Sequence, residues 1–207
     1  MRPRRRTFLF RIGSFGASNR KSQVVNPVPR LFAALDPPGP ARKAVNTLRT
    51  DDLDGARRTP PEQYHLTLRF FGDVGEEHAT AVEDALAGVD AEAPALRSTG
   101  LIALPSRRRP RVLAVTFART EALKTLHEQV EAAARALGFE AETRRFRPHL
   151  TFARLNEADP QAVVRFLRTQ PVPDVSFTAS AFHLYESELR PDGARHQRRA
   201  AFALEGR

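Results

Sequence analysis

One four-residue pattern occurs twice in this chain and constrains its fold more than any other feature. His65-Leu66-Thr67-Leu68 and His149-Leu150-Thr151-Phe152 share the order His, apolar, Thr, apolar, and they begin 84 residues apart. Such alternation is typical of a strand, in which residues i and i+2 point to the same face about 7 Å apart. Each His therefore shares a face with its Thr. The repeat predicts two strands of matching design, one in each half of the chain.

The remaining sequence alternates between helix and strand patterns, often with two strands at a time. This order predicts an α+β domain in two similar halves rather than a doubly wound parallel sheet. Helices are expected at about residues 40–50 and 76–88, from Thr120 to Gly138, and after Asp159. Strands are expected at about residues 31–35, 64–71, 96–104, 111–117, 175–185 and 200–204, with a strand pair over 140–155.

The positive charge is concentrated at the N-terminus. The chain has 33 Lys and Arg against 24 Asp and Glu, a formal net charge of +9, and eight of the basic residues lie in the first 30 positions without any acidic residue. The rest of the chain is nearly neutral by the same count. Residues 1–29 show no useful periodicity, so we expect a basic, disordered N-terminal extension followed by one domain over residues 30–207.

Composition excludes several kinds of protein. The chain has no cysteine, which excludes disulfides, thiolate zinc sites and a cysteine nucleophile. No apolar run reaches 18 residues, so no membrane span is expected. Arg5-Arg6-Thr7-Phe8-Leu9 resembles a twin-arginine export signal, but the apolar stretch that should follow is missing. We therefore expect a cytoplasmic protein, and we expect it to be a monomer. A translation start near Val24 or Val25 is an alternative explanation of residues 1–29. An intact-mass measurement distinguishes a disordered extension from a later start.

Two His-Thr pairs that face one groove suit displacement at phosphorus. One histidine can take a proton from the nucleophile while the other gives a proton to the leaving oxygen on the opposite side. Each Thr hydroxyl can donate a hydrogen bond to a non-bridging phosphate oxygen. No carboxylate lies at a ligand-like spacing from either histidine, so neither a metal nor a cofactor is expected. A single such motif is equally well explained as a structural His beside a Thr that favours strands.

The motifs and their flanks resemble the two-histidine phosphoesterase superfamily, and within it the bacterial RNA 2′,3′-cyclic phosphodiesterases, also called 2′-5′ RNA ligases. The resemblance covers about residues 30 to 204. It rests on Arg30–Leu35, Tyr64–Asp73, Pro110–Leu113, Arg147–Arg154 and His183–Leu189.

This resemblance implies a bilobal fold of two pseudo-symmetric antiparallel-sheet lobes, with helices outside and an active-site cleft between them. It implies metal-independent hydrolysis of RNA 2′,3′-cyclic phosphate ends to a 2′-phosphate. Reversible 2′-5′ RNA ligation is an alternative reaction of the same site. His65 would be the proton donor to the leaving 3′-oxygen, and His149 the proton acceptor that activates water. The implied substrate-binding residues are Thr67, Thr151 and Arg154, although strand alternation alone would point Arg154 away from His149.

Two alternatives share these motifs: a phosphodiesterase acting on 2′-5′ linkages or small cyclic nucleotides, and a non-catalytic RNA-binding protein. Two proton-transfer groups argue against binding alone. Two positions depart from the resemblance, since Ala114 and His196 stand where relatives often have Trp and Tyr. Four histidines lie outside the motifs: His78 and His127 are expected to be solvated or edge residues, His183 is a candidate groove residue, and His196 is expected in an exposed hairpin loop. Arg107–Arg111 is expected to be a basic turn, which is either a solvated loop or a contact for the RNA backbone. Phe32, Phe70, Phe71 and Phe182 are expected to be mostly core residues, of which one could stack on a base.

Overall fold

The computed structural model describes residues 29–190 and 193–206, so the predicted extension lies outside the described residues except for Pro29. The Pro29 carbonyl accepts a hydrogen bond from the Val74 amide just before the first strand begins. The strands are β1 (Arg30–Leu35), β2 (Ala56–Arg58), β3 (Leu66–Asp73), β4 (Ala95–Pro105), β5 (Pro110–Phe117), β6 (His149–Leu155), β7 (Ser176–Thr178), β8 (Ala181–Arg190) and β9 (Gly193–Ala203). The helices are α1 (Gly39–Asn46), α2 (Glu76–Ala87), α3 (Glu121–Ala136) and α4 (Pro160–Thr169).

The strands of the described chain form one antiparallel sheet in the order β7-β4-β5-β6-β3-β1-β8-β9, with β2 added on β6. Strands β3 and β6 meet through a single residue pair, Leu66 with Leu150. The sheet therefore consists of two halves that are joined at its centre by the two strands that carry the His-Thr motifs. This arrangement confirms the expected α+β class with two related halves.

The core lies on the side of the sheet that faces the long helices. Leu66 and Leu150 are 2% and 1% exposed, and they share this core with Leu123, Leu126 and Val130 of α3. Helix α3 also contacts strands from both halves, β3 and β4. The central strand pair is thus fixed with one face buried, and the opposite face is left for the motif side chains.

Two predicted helix starts are confirmed by their caps. The Thr120 hydroxyl accepts a hydrogen bond from the Leu123 amide, and the Asp159 carboxylate accepts from the amides of Gln161 and Ala162. These side chains satisfy amide groups that have no partner within the first helical turn. Pro160 occupies the first position of α4, where its missing N–H costs nothing.

The strand pair predicted over residues 140–155 is wrong, because only β6 forms there. Both edges of β6 are occupied, by β5 on one side and by β2 and β3 on the other. The preceding segment instead lies beside β3 and α3. Arg69 donates a hydrogen bond to the Glu140 carbonyl, and the Phe146 ring stacks on His127 at a centroid distance of 3.9 Å.

In the described part of the chain, none of the helices combines the length and the hydropathy that a membrane crossing requires.

Candidate active site

The two His-Thr motifs meet at the centre of the sheet. Leu66 and Leu150 are directly paired and point into the core. Because neighbouring strand residues point to opposite faces, the residues on either side of each leucine share the open face. We call these four half-buried side chains the His-Thr patch: His65, Thr67, His149 and Thr151.

The antiparallel direction of β3 and β6 arranges the His-Thr patch diagonally. The residue before Leu66 lies beside the residue after Leu150, so His65 is next to Thr151 and His149 is next to Thr67. The two imidazoles therefore occupy opposite corners, and the two hydroxyls occupy the others. A small anion at the centre can receive hydrogen bonds from both hydroxyls with an imidazole on each side.

Both histidines are oriented by the same local contact. Nδ1 of His65 lies 2.8 Å from the Gln63 carbonyl oxygen, and Nδ1 of His149 lies 2.7 Å from the Arg147 carbonyl oxygen. A carbonyl oxygen only accepts, so Nδ1 is the protonated nitrogen in each neutral ring. The Nε2 atoms are left to accept or donate a proton at the open face.

His65 lies in a confined aromatic environment. Its ring centroid is 4.8 Å from that of Phe32 and 5.3 Å from that of His196. Burial lowers the pKa of His65 to about 4, and the nearby His196 and Arg154 act in the same direction. The free protein therefore holds His65 neutral at pH 7.

Arg154 points to the open face because β6 contains a bulge. Leu113 pairs with Ala153 whereas Ala114 pairs with Thr151, so Phe152 is an extra residue in the ladder. A one-residue insertion reverses the alternation beyond it. Arg154 thus shares a face with Thr151, as the resemblance implies and as strand alternation alone would not place it.

A matching bulge in β3 brings Phe70 to the same open face. Ala34 pairs with Thr67 whereas Ala33 pairs with Arg69, and Phe32 pairs with Phe70. Phe70 is 62% exposed, while the other three phenylalanines predicted to be core are buried. Phe70 and Arg154 each follow their motif histidine by five positions, so they are equivalent residues of the two halves.

A cavity of about 570 Å³ opens beside His65. Its walls come from β1, β2, β8 and β9 and from the turn before β3, and Arg154 closes it on the β6 side. His149 is not among the lining residues. The cavity therefore extends from the His-Thr patch in one direction only, on the side of His65. Its polar and aromatic lining residues are Phe32, Asp36, Arg57, Arg58, Thr59, Glu62, Gln63, Tyr64, His65, Arg154, Tyr185, Arg195 and His196.

Asp36 lines the cavity and also holds two neighbouring side chains in place. Its carboxylate accepts hydrogen bonds from the Tyr185 hydroxyl at 2.8 and 2.6 Å and from Arg198 at 2.8 Å. Tyr185 in turn stacks on Phe32 with centroids 5.2 Å apart. Burial and the hydrogen bond to Asp36 raise the pKa of Tyr185 to about 12, so the hydroxyl keeps its proton and remains a donor.

The expectation for His196 is wrong. It lies within β9 opposite Ser187 rather than in an exposed loop, and it lines the cavity. The β8–β9 hairpin is longer than its apolar content suggests, because polar residues of both strands face the cavity or pair across the sheet. His183 is buried, with Nδ1 3.5 Å from the Asp36 carboxylate, and it does not line the cavity. The arginines of the predicted basic turn, 107–109 and 111, are exposed and lie outside the cavity lining.

Two other histidine positions agree with their expectation. His78 is exposed on α2, and His127 is half-buried at the edge of α3. Sequence reasoning missed strand β2 and the cavity residues Asp36 and Arg57. A three-residue strand has no measurable periodicity, but the acidic residue that ends the first apolar run is a signal that could have pointed to Asp36.

The fold and the paired motifs define a phosphoesterase of the two-histidine class. Residues 37–191 match the family model described as the 2′-5′ RNA ligase superfamily. The chain belongs to that superfamily.

Several relatives carry the name RNA 2′,3′-cyclic phosphodiesterase. One from Archaeoglobus fulgidus is 29% identical over 168 residues, which cover 79% of this chain and 94% of the relative. One from Thermus thermophilus is 33% identical over 195 residues, which cover 86% of this chain and 91% of the relative. The family and the type of enzyme expected from the motifs are thereby confirmed.

Solved structures show the same fold. E. coli LigT complexed with 3′-AMP superposes with a TM-score of 0.71 at 26% identity, covering 85% of this chain and 98% of that chain. A protein of Thermus thermophilus gives the same TM-score and identity, covering 86% of this chain and 98% of that chain.

Proposed function

We propose that this protein hydrolyses RNA 2′,3′-cyclic phosphate ends to 2′-phosphates, with His65 and His149 as the acid and the base. The carrying observation is the diagonal His-Thr patch, in which each imidazole is held through Nδ1 and its Nε2 is left at the open face. The names of the relatives supply the substrate class.

The nucleophile approaches on the side of His149. Nε2 of His149 takes a proton from water as the water oxygen forms a bond to phosphorus. This ring is the more accessible of the two and lies outside the cavity, so bulk water reaches it directly. Its Nδ1–H bond to the Arg147 carbonyl stabilises the imidazolium that forms.

The leaving 3′-oxygen lies on the side of His65. The bond from phosphorus to the 3′-oxygen breaks, and the Nε2–H of His65 gives that oxygen its proton, so the products are a 2′-phosphate and a 3′-hydroxyl. Thr67 and Thr151 donate hydrogen bonds to the non-bridging oxygens, on which negative charge accumulates. Arg154 adds a cation at the same face and binds the phosphate.

The acid role requires His65 to gain its proton together with the substrate. A pKa of about 4 leaves His65 neutral in the free protein at pH 7. The cyclic phosphate brings a negative charge next to the ring, and a neighbouring opposite charge raises the pKa of a histidine. Substrate and proton therefore bind together, with each favouring the other.

Phe70 provides a face for a nucleobase. This large apolar side chain lies on the open face of the first half and is mostly exposed. The centroid of the Phe32 ring is 5.7 Å from that of the Phe70 ring. Stacking on an aromatic ring accepts every base, at about 1–3 kcal/mol per base. The site thus binds RNA ends without strong sequence preference.

Ligation is the same reaction with another nucleophile. A 5′-hydroxyl in place of water, attacking the cyclic phosphate while the 3′-oxygen leaves, produces a 2′-5′ linkage. The superfamily description favours this second activity, and the His-Thr patch requires no additional residue for it. Incubation with an added oligonucleotide that carries a 5′-hydroxyl should yield a product joined by a 2′-5′ bond.

The proposed chemistry is independent of metal ions. Across residues 29–190 and 193–206, no three His, Asp or Glu side chains form a group that could hold a metal ion. Proton transfer by histidines and charge stabilisation by Thr and Arg supply what a metal would otherwise supply. The proposed protein is cytoplasmic and monomeric. Light scattering after size-exclusion chromatography tests whether it is a monomer.

The decisive experiment follows a nucleoside 2′,3′-cyclic phosphate by phosphorus NMR in the presence of EDTA. We expect a 2′-phosphate as the sole product, at a rate that EDTA does not change. A 3′-phosphate would reverse the assignment of the leaving oxygen. Loss of activity in EDTA that returns with added divalent metal would exclude the metal-independent mechanism.

A further inference from the structure

The cavity extends from the side of the His-Thr patch on which the proposed mechanism places the ribose. His65 lines it and His149 does not. In the proposed function, His65 protonates the 3′-oxygen of the terminal ribose, so the RNA chain that leads to this ribose lies on the same side. A volume of about 570 Å³ is within the range of sites that enclose a nucleotide-sized ligand.

The cavity is much more positive than the domain around it. Four arginines line it, together with two carboxylates, Asp36 and Glu62. The Asp36 carboxylate accepts hydrogen bonds from Tyr185 and Arg198, which reduces its repulsion of an anion. Residues 31–207 together are almost neutral, with 25 basic and 24 acidic side chains. The positive charge of the domain is therefore concentrated at the lining of this cavity.

Strand β2 places two of these arginines directly opposite each other. Arg57 pairs with Arg154 across the antiparallel contact between β2 and β6. Both side chains line the cavity, so they bring two positive charges to the same part of its wall. Arg195 reaches the same cavity from β9, on the opposite wall.

We propose that this cavity is a subsite for the internal phosphate that precedes the terminal nucleotide, with Arg57 and Arg195 as its ligands. The inference rests on the proposed function and specifies its substrate as an RNA chain rather than a mononucleotide. Arg57 and Arg195 also interact within the protein, so an RNA phosphate exchanges with those contacts. Arg154 remains with the reacting cyclic phosphate and orients it relative to the internal phosphate.

The test compares two dinucleotides that differ in a single linkage. Both end in a 2′,3′-cyclic phosphate, and the internal link is a phosphodiester in one and a neutral methylphosphonate in the other. For the phosphodiester we expect kcat/KM at least about tenfold higher, the scale of a charge-assisted hydrogen bond. Arg57→Gln and Arg195→Gln should each reduce the ratio of kcat/KM for the phosphodiester to kcat/KM for the methylphosphonate. Arg168 is an exposed arginine on α4, and Arg168→Gln should leave this ratio unchanged.

Calorimetric binding of the corresponding 2′-phosphate products separates this inference from the proposed function. Tighter binding of the phosphodiester product, reduced by Arg57→Gln, supports the subsite even if no cyclic phosphate is hydrolysed. Equal affinity for both linkages in the unaltered protein overturns the subsite even if hydrolysis is rapid. A ratio that persists in both arginine variants overturns the assignment of Arg57 and Arg195. Thermal unfolding of each variant confirms that it is folded.

Discussion

The two halves of the sheet use their arginines in opposite ways. In β3 the arginine follows the motif histidine by four positions, and this residue, Arg69, is buried against Glu131 of α3 at 2.6 Å. In β6 the arginine follows by five positions, and Arg154 lies on the open face. A shift of one residue along a strand changes the face on which a side chain lies. One arginine therefore joins the sheet to a helix, and the other, in the proposed function, binds the substrate phosphate.

The equivalent positions complete the contrast. Ala153 stands in the second half where Arg69 stands in the first, and Phe70 stands where Arg154 does. The open face consequently offers an aromatic ring on one side and a cation on the other. Both halves contain the same kind of strand with a bulge. In the proposed function, Phe70 of the first half contacts the base and Arg154 of the second half contacts the phosphate.

The largest effect should come from removing either motif histidine. His65→Ala and His149→Ala should each lower kcat by at least about 10²-fold, because each removes one of the two proton transfers. The double variant should lose little more than the worse single one, since the two act as a unit. Exposed His78→Ala on α2 is the matched control. Full activity in both single variants would disprove the assignment.

The two arginines should separate function from stability. Arg154→Gln should lower kcat/KM by about 10- to 100-fold through a lost charge-assisted bond, with little change in the free energy of unfolding. Arg69→Met should lower the free energy of unfolding by about 3–5 kcal/mol, because it leaves Glu131 as an unpaired, mostly buried charge. Denaturant unfolding and steady-state kinetics on both variants test the contrast; the reverse pattern would refute it.

The two threonines should be equivalent if the two halves share the phosphate equally. Thr67→Val and Thr151→Val each remove one hydroxyl donor while keeping the shape, and each should reduce kcat/KM about tenfold. A much larger loss in one variant would show that the phosphate sits closer to that half. The measurement is kcat/KM with a cyclic mononucleotide.

His65 should be neutral in the free protein at neutral pH. NMR should show His65 neutral at pH 7, with its pKa near 4, and this pKa should rise when inorganic phosphate binds. In the unfolded chain His65 has a pKa near 6.5, so it binds a proton at a pH at which His65 of the folded chain is still neutral. The free energy of unfolding therefore falls as the pH drops from about 6.5 to 4. His65→Gln should flatten this part of the stability curve. A free-protein pKa of 6.5 for His65 would contradict the buried environment.

The smallest effect should come from His196, which faces His65 in the first half and has no counterpart contact at His149 among the described residues. His196→Tyr should keep the aromatic contact with Phe32, while it removes a neighbour that lowers the pKa of His65. We expect a change of a few-fold at most in kcat, and a small rise in the pKa of His65 when it is followed by NMR in the free protein. An unchanged pKa would show that burial and Arg154, rather than His196, keep it low.

The sequence predicted what depends on local pattern. The two motifs identified the four residues of the His-Thr patch, and the alternation of elements indicated two halves. The polar side chain of Asp159 and the following proline marked the start of α4. Each of these signals lies within a few residues along the chain.

The rest depends on pairings between distant segments. A bulge exists only relative to a partner strand, so the direction of Arg154 required the register of β5. Strand β2 forms because β6 offers a free edge beyond its single pair with β3. His196 enters the cavity because the β8–β9 hairpin extends past its apolar residues. No short stretch of sequence contains that information.

The arginines that line the cavity make the choice of buffer part of any assay. A sulfate or phosphate ion that binds to them stabilises the folded state by mass action. In the proposed function, the same ion competes with the phosphates of the substrate. Sulfate should therefore raise the melting temperature above its value in chloride at equal ionic strength, while it slows the reaction as a competitive inhibitor. Activity and stability measured in phosphate buffer would move in opposite directions for one and the same reason.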